Sequence, residues 1–232
     1  MNKKYHRQIL LPEVGEAGQE KLKQARVLIV GVGGLGCPIA LYLTAAGVGC
    51  LGLIDDDVVS ISNLHRQILY DEADIGQPKA ECAVRHLLQK NSNIELIAYP
   101  IRLTKENAEE LIAGYDMVVD GCDNHATRYL ISDVCHRQQK PYVYAAIEAF
   151  QGQVSVLCLS NNVPTYRTLF PDEKNMLSFE AGKGVIGTTP AVIGSIVANE
   201  VLKLIIGFGE TLTGKALIID LLTLDIQKIN LT

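Results

Sequence analysis

Arg26-Val27-Leu28-Ile29-Val30-Gly31-Val32-Gly33-Gly34-Leu35-Gly36 decides how this chain is read. The opening residues are rich in apolar and β-branched side chains, which suits a buried strand, and glycines follow at 31, 33 and 36. Glycine lets the backbone turn sharply and approach an anion, while the helix behind it presents free N–H groups to a phosphate. Strand, tight turn and helix in that order predict a nucleotide site. Asp55 closes the next apolar run, where a carboxylate binds ribose hydroxyls. These features alone suit NAD as well as ATP, and a glycine turn that serves only packing stays open beside them.

Outward from that loop the same rhythm repeats. A polar segment at 13–24 is helix-compatible and precedes the first strand; strands are expected at 50–54, 94–98, 117–120 and 142–145, with helices at 78–90, 107–113 and 127–138 between them. Alternation of this kind predicts an α/β fold, a Rossmann-like parallel sheet with helices on both faces. After residue 150 the rhythm changes. Residues 153–159 read as a strand with no helix close behind, and 160–187 read as a long loop, which is unusual inside a domain and usually functional. Thr188-Thr189-Pro190 announces a helix over 191–206 through a hydroxyl cap and a proline in the first turn. Runs at 216–221 and 224–230 predict a closing antiparallel hairpin, so the sheet is extended by C-terminal antiparallel strands. The expected organisation is one domain over 1–232, with a nucleotide-binding half at about 1–150 and a second half at about 151–232.

Composition narrows the class. The 232 residues are 48% hydrophobic and 20% charged, ordinary values for a globular protein. A formal charge of −5 gives no general attraction to phosphate backbones, so nucleic acid is not an expected partner. No run of about 18 apolar residues that could span a bilayer is seen, and a membrane span is not expected. The basic start is followed only by Ile9-Leu10-Leu11, too short for a signal peptide, which predicts a cytoplasmic protein. Cysteines at 37, 50, 82, 122, 135 and 158 form no Cys-x-x-Cys pair and are read as reduced core thiols.

Charges between 55 and 79 favour ATP over a dinucleotide. The segment reads Asp55-Asp56-Asp57-Val58-Val59-Ser60-Ile61-Ser62-Asn63-Leu64-His65-Arg66-Gln67, then Gly76-Gln77-Pro78-Lys79. Lys79 stands just inside a helix start marked by Pro78, where the helix dipole disfavours a cation by about 0.3–1 kcal/mol unless an anion lies nearby. A triphosphate would supply that anion. A solvated surface lysine is the plain alternative, as a surface arginine is for Arg66.

Arg7-Gln8-Ile9, the glycine loop, Ser62-Asn63-Leu64-His65-Arg66-Gln67, Pro78-Lys79 and Asp123-Asn124-His125-Ala126-Thr127-Arg128 together resemble the ThiF/MoeB/HesA family. These are relatives of the adenylation domain of ubiquitin-activating enzymes, and the resemblance runs over nearly the whole chain. It implies ATP- and Mg²⁺-dependent adenylation of the C-terminal glycine of a ubiquitin-like sulfur-carrier protein ending in Gly-Gly. Gly31, Gly33, Gly34 and Gly36 would then cradle the nucleotide, with Gly34 packed against it and Asp55 on the ribose. Asp57, Ser62 and Asn124 are counted with the nucleotide site, Asn63, Arg66 and Lys79 with its phosphates, and Asp123 as the Mg²⁺ ligand. Arg7 corresponds to the arginine that reaches into the site of the other subunit of a homodimer. Arg66, Lys79, Asp123 and Arg7 form the implied catalytic set, because cations there stabilise charge building on the departing pyrophosphate. The second half, at about 151–232, is the implied carrier-binding half.

Two departures from the family stand out. Many relatives hold a structural zinc on two Cys-x-x-Cys pairs, one of them within a Cys-Tyr-Arg-Cys-Leu-Phe-Pro stretch. Here that stretch is Thr165-Tyr166-Arg167-Thr168-Leu169-Phe170-Pro171, and no second pair precedes Thr232. Hydroxyls are poor zinc ligands, so no zinc is expected. Relatives also often carry a loop cysteine before a Glu-Ala-Gly segment, where this chain has Ser178-Phe179-Glu180-Ala181-Gly182. A serine hydroxyl is a weak nucleophile without a base, so an external sulfur donor is expected to take the acyl group from the adenylate. Cys122, directly before Asp123, is read as a small strand-end residue, with sulfur transfer as its alternative role. Tyr142 and Tyr144 are read as packing.

A carrier of the ThiS kind, for thiamine thiazole assembly, is the first expectation, and a MoaD-like carrier for molybdopterin is its variant. An NAD-dependent oxidoreductase and a non-catalytic carrier-binding protein are the competing classes. The first leaves Arg66, Lys79 and Asp123 without work; the second leaves the same set retained without reason.

Overall fold

The computed structural model describes residues 3–160, 162–178 and 184–231. A 3₁₀ turn at Lys3–Tyr5 leads into α1 (His6–Ile9), α2 (Gly15–Gln24), β1 (Arg26–Val30), α3 (Gly36–Ala46), β2 (Cys50–Ile54), α4 (Lys79–Lys90) and β3 (Glu95–Tyr99). The chain continues through α5 (Ala108–Ala113), β4 (Met117–Asp120), α6 (His125–Gln138), β5 (Tyr142–Glu148) and β6 (Gln151–Leu157). It closes with α7 (Tyr166–Leu169), α8 (Glu173–Ser178), α9 (Thr188–Ile206), β7 (Lys215–Asp220) and β8 (Asp225–Asn230).

All eight strands form one sheet in the order β3-β2-β1-β4-β5-β6-β7-β8. From β3 to β5 the neighbours are parallel, and from β5 to β8 they are antiparallel. This is the expected Rossmann-like sheet with its antiparallel extension. The order turns outward in both directions from β1 and β4, which makes their carboxyl ends a topological switch point, the place where such sheets leave a crevice for a ligand.

Strand β1 shows why the parallel part reads as a plain apolar run. Val27 and Ile29 face one core with Leu22, Ile39, Leu43, Leu87 and Val197, from α2, α3, α4 and α9. Leu28 and Val30 face the other, with Ile112, Tyr129, Val134 and Tyr166, from α5, α6 and α7. Successive side chains point to opposite faces and both faces are covered, so Val27 to Val30 are all apolar, and only Arg26 at the half-buried start is charged.

Three expectations change. The predicted loop at 160–187 contains α7 and α8. The helix expected from 191 starts at Thr188 and has no side-chain cap; Thr189 instead donates its hydroxyl to the Ala149 carbonyl at 2.9 Å, tying α9 to the β5–β6 turn. Helix α9 also overturns the statement that no segment is long and apolar enough to span a bilayer. Over its most apolar 18 residues the mean hydropathy is 1.5, because Asn199, Glu200 and Lys203 interrupt the run without lowering the average far. Half of it is buried in the protein, where it packs on α3, β5 and β6 as a core helix.

Candidate functional site

A cleft of about 570 Å³ opens at the switch point and is lined by Gly33, Gly34, Asp55, Asp57, Arg66, Lys79 and Asp123 among others. Its floor is set by backbone contact. Gly31 has φ +89°, and a Cβ there would stand 2.5 Å from the Gly121 carbonyl oxygen, so the loop after β1 and the loop after β4 touch only because side chains are missing. Gly36 is pinned in the same way against the Gly31 carbonyl and lies beneath the wall. Gly33 and Gly34 have a different job. A Cβ on either would meet nothing nearer than 3.4 Å within the protein, which leaves room for a ligand against the loop. Helix α3 follows with no side chain capping its first turn, so its N-terminal end is directed at that space.

Asp55 is held by the loop it serves. One carboxylate oxygen accepts from the Val32 N–H at 2.8 Å and the other from the Asp57 N–H at 2.9 Å. Burial raises its pKa above the ordinary carboxylate value, and the Lys79 charge opposes that rise.

Lys79 and Arg66 share the cleft with it. Lys79 is 5% exposed and donates to Asp57 at 2.8 Å, which removes the reading of a solvated lysine and supplies, within the chain, the anion that its helix position called for. Arg66 is half-buried; it donates to the Ser62 carbonyl at 2.9 Å and contacts the His65 ring at 2.8 Å. Ser62 and Asn63 therefore stand behind the wall, not in it. The Asn63 side chain accepts from the Ser60 N–H at 3.3 Å, closing the short 3₁₀ turn Ile61–Asn63 that carries Arg66. Asn63 was expected on the phosphates; the bond to this turn uses its side-chain oxygen and not the amide nitrogen, which is the donor a phosphate would need. Arg7 lies exposed on α1, away from the cleft of its own chain.

Asp123 is exposed in the cleft between Cys122 and Asn124. Asn124 caps α6 by accepting from the Thr127 N–H at 2.9 Å, and its amide lies 3.4 Å from the Asp123 carboxylate. Magnesium is commonly held by one or two carboxylates together with substrate phosphates, so a single exposed carboxylate beside a phosphate cradle suits it.

Beneath Asp123 lies a network that the sequence reading missed. Asp120, fully buried at the end of β4, accepts from Arg128 Nε at 3.0 Å and from the Tyr142 hydroxyl at 2.7 Å on one oxygen. Its other oxygen accepts from the Cys122 N–H at 3.0 Å and the Cys122 thiol at 2.9 Å. Arg128 also donates to the Cys122 carbonyl at 2.8 Å and the Ala145 carbonyl at 3.3 Å. Burial works to discharge Arg128, and Asp120 overcomes it, holding the guanidinium well above its usual value. The signal was present: a carboxylate ending the apolar run Met117-Val118-Val119 needs a counterion, and Arg128 lies just inside the next helix. Tyr142, read as packing, has its hydroxyl in this network. Gln67 and Arg102 also line the cleft without having been assigned, and Gln67 is buried with its carbonyl oxygen unpartnered among the described residues.

Nucleophiles are scarce. All six thiols are buried. Burial pushes Cys37 and Cys50 up to about 12 and Cys158 to about 11, and it raises Cys122 well above the ordinary thiol range. Ser178 is exposed at the end of α8 and gives its hydroxyl to the Asn175 carbonyl at 2.8 Å; Phe179, Glu180, Ala181 and Gly182 lie outside the described residues. The stretch where many relatives hold zinc is here the capped start of α7. Thr165 and Thr168 lie with their hydroxyls 3.1 Å apart and cap α7 reciprocally, through Thr168 N–H to Thr165 Oγ1 at 3.3 Å and Thr165 N–H to Thr168 Oγ1 at 3.2 Å.

The ThiF family matches residues 5–232. A sulfur carrier protein adenylyltransferase of Thermus thermophilus is 47% identical over 232 residues, covering 97% of this chain and 86% of that protein. The chain belongs to the ThiF family. Mouse adenylyltransferase and sulfurtransferase MOCS3 is 47% identical over 219 residues, which is 94% of this chain but only 47% of MOCS3. The crystal structure of E. coli MccB with ATP superposes with a TM-score of 0.87 at 26% identity, covering all of this chain and 71% of MccB. With membership in the ThiF family comes the enzyme class: the chain is an adenylyltransferase.

Proposed function

We propose that this ThiF-family protein uses ATP to adenylate the C-terminal glycine of a ubiquitin-like sulfur-carrier protein. A carrier carboxylate oxygen attacks the α-phosphorus, the bond to the departing pyrophosphate breaks, and an acyl-adenylate results. The single observation that carries the reading is the convergence of the glycine loop, Asp55, Arg66, Lys79 and Asp123 on one cleft at the switch point. Hydride transfer would leave the last three without work.

In this reading the α3 end and Gly34 face the phosphates, and Asp55 takes the ribose hydroxyls with the lone pairs its two backbone bonds leave over. Arg66 and Lys79 stabilise charge that builds as pyrophosphate leaves, a role for which preorganised cations in a low-dielectric cleft are suited. Lys79 exchanges Asp57 for phosphate oxygens as ATP enters. Mg²⁺, held by Asp123 with the phosphates, would add further neutralisation there. No side-chain nucleophile is needed, because the attacking group belongs to the carrier. The buried thiols and the engaged Ser178 hydroxyl favour release of the acyl-adenylate to an external sulfur donor. The half at 151–232 would bind the carrier, and the protein would act as a homodimer with Arg7 reaching the partner's cleft. The name of the Thermus relative favours a sulfur carrier; a ThiS-like carrier of thiazole assembly is our first reading and a MoaD-like one the second.

Pyrophosphate exchange tests the reading. Purified protein with ATP, Mg²⁺ and carriers ending in Gly-Gly should exchange label only when its carrier is present, and the preferred carrier separates ThiS-like from MoaD-like substrates. Absence of exchange with every carrier overturns it. Mixed Arg7→Ala and Arg66→Ala subunits should regain part of the activity each lacks alone; no recovery after confirmed subunit exchange removes the shared site.

A further inference from the structure

Asp123 sits on a loop, yet the backbone on both sides of it is clamped. Before it, the Cys122 N–H is taken by Asp120 and the Cys122 carbonyl by Arg128, at 3.0 and 2.8 Å. That carbonyl belongs to the peptide that carries the Asp123 N–H, so Arg128 fixes the plane from which the Asp123 side chain departs. After it, Asn124 is locked as the cap of α6. Further back, the Gly121 N–H donates to the Val30 carbonyl at 2.8 Å, which joins the loop to the end of β1 and the glycine turn.

We propose that Arg128, anchored by Asp120 and Tyr142, is a positioning residue that aims the Asp123 carboxylate at its divalent cation. A buried ion pair is weak evidence for stability alone, since an apolar pair of similar volume is often as stable. Here the pair does something an apolar pair would not do. One guanidinium spans three acceptors on three different segments: Asp120 on β4, the Cys122 carbonyl on the loop and the Ala145 carbonyl on β5. Its Cζ lies over the Tyr144 ring, 5.7 Å from the centroid, within reach of a cation–π attraction. Lysine keeps the charge but lacks the fork, so it cannot hold Asp120 and both carbonyls together. Outer partners of metal ligands commonly govern affinity in this way.

The inference rests on the reading of Asp123 as the cation's ligand, and the test separates the two. Mn²⁺ binding is followed by electron paramagnetic resonance on the full chain with a non-hydrolysable ATP analogue, without turnover. Asp123→Ala should abolish the protein-dependent part of the binding. Arg128→Lys should weaken it about tenfold or more, by analogy with outer-shell losses at other metal sites. Tyr142→Phe, which removes one hydrogen bond to the Asp120 carboxylate and leaves the ion pair, should weaken it by the smaller factor of about threefold, because that bond reaches Asp123 only through Asp120 and Arg128. Analogue affinity without metal should not move, which a general loss of fold would not permit. If Arg128→Lys does not fold, Tyr142→Phe decides. Wild-type Mn²⁺ affinity in the folded Arg128 and Tyr142 variants, with Asp123→Ala defective, overturns the positioning role; wild-type affinity in Asp123→Ala overturns the ligand assignment instead.

Discussion

The sheet contains two regions built on different rules. From β3 to β5 the strands are parallel, covered on both faces, and end together at the cleft; from β6 to β8 they are antiparallel and run out to an edge where every residue of β8 is exposed. Asp55, Asp57, Arg66, Lys79 and Asp123 come from segments that follow β2 and β4, and Glu148 at the end of β5 also lines the cleft. The second region contributes a wall through Gly184 and Val185, plus the exposed apolar residues Leu222, Leu224 and Ile226. Parallel strands gather loops and helix starts at one end of the sheet, which suits chemistry on a charged substrate. An antiparallel hairpin with one open edge offers strand and side-chain surface instead, which suits recognition of another protein.

That division can be broken by substitution. In the parallel region, Arg66→Ala and Lys79→Met should each cut carrier-dependent pyrophosphate exchange by about 10²–10³-fold or more, the scale of lost charge stabilisation, with melting temperature preserved for Arg66→Ala. Near-normal exchange in either removes that residue from the site. Gly31→Ala should destabilise the fold by about 2–4 kcal/mol in denaturant titration, because the new Cβ meets the Gly121 carbonyl in a left-handed conformation. A wild-type midpoint would mean the two loops need not touch. In the antiparallel region, Leu224→Glu and Ile226→Glu should raise the KM for the carrier about tenfold and leave the KM for ATP unchanged, since both side chains are exposed and remote from the cleft. Equal carrier KM would place recognition elsewhere. The smallest effect is expected at α7, where Thr165→Ala removes a cap worth about 1 kcal/mol. A loss several times larger would show that the threonine turn holds more than its own helix.

The same contrast explains what was legible. Val27 to Val30 and Met117 to Asp120 could be placed as strands because burial on both faces demands apolar side chains, and glycine, proline and capping residues punctuate the gaps. Helices α7 and α8 gave no such signal. They are fixed by distant partners, with Arg167 bridging Asp133 and Glu173 at 2.7 and 2.6 Å and Tyr166 buried among Tyr129, Tyr144 and Phe170. Within the site, Asp55, Asp57, Arg66, Lys79 and Asp123 were visible as charges at element ends. Asp120 was visible as a charge but not as half of a pair, because its partner returns from a helix, and the turn that Asn63 closes with its side-chain oxygen is one that spacing alone does not reveal. Thr189 shows the same limit: the hydroxyl was seen, and its acceptor was a carbonyl forty residues away in sequence.

The most direct test of adenylation is the intact mass of the carrier after a single-turnover mixture with ATP and Mg²⁺ in the absence of a sulfur donor. The account predicts a carrier heavier by one adenylyl group with the wild-type protein, and an unchanged carrier with Asp123→Ala. An unmodified carrier in the wild-type reaction, across ThiS-like and MoaD-like candidates, or an adduct formed equally well by Asp123→Ala, would contradict it.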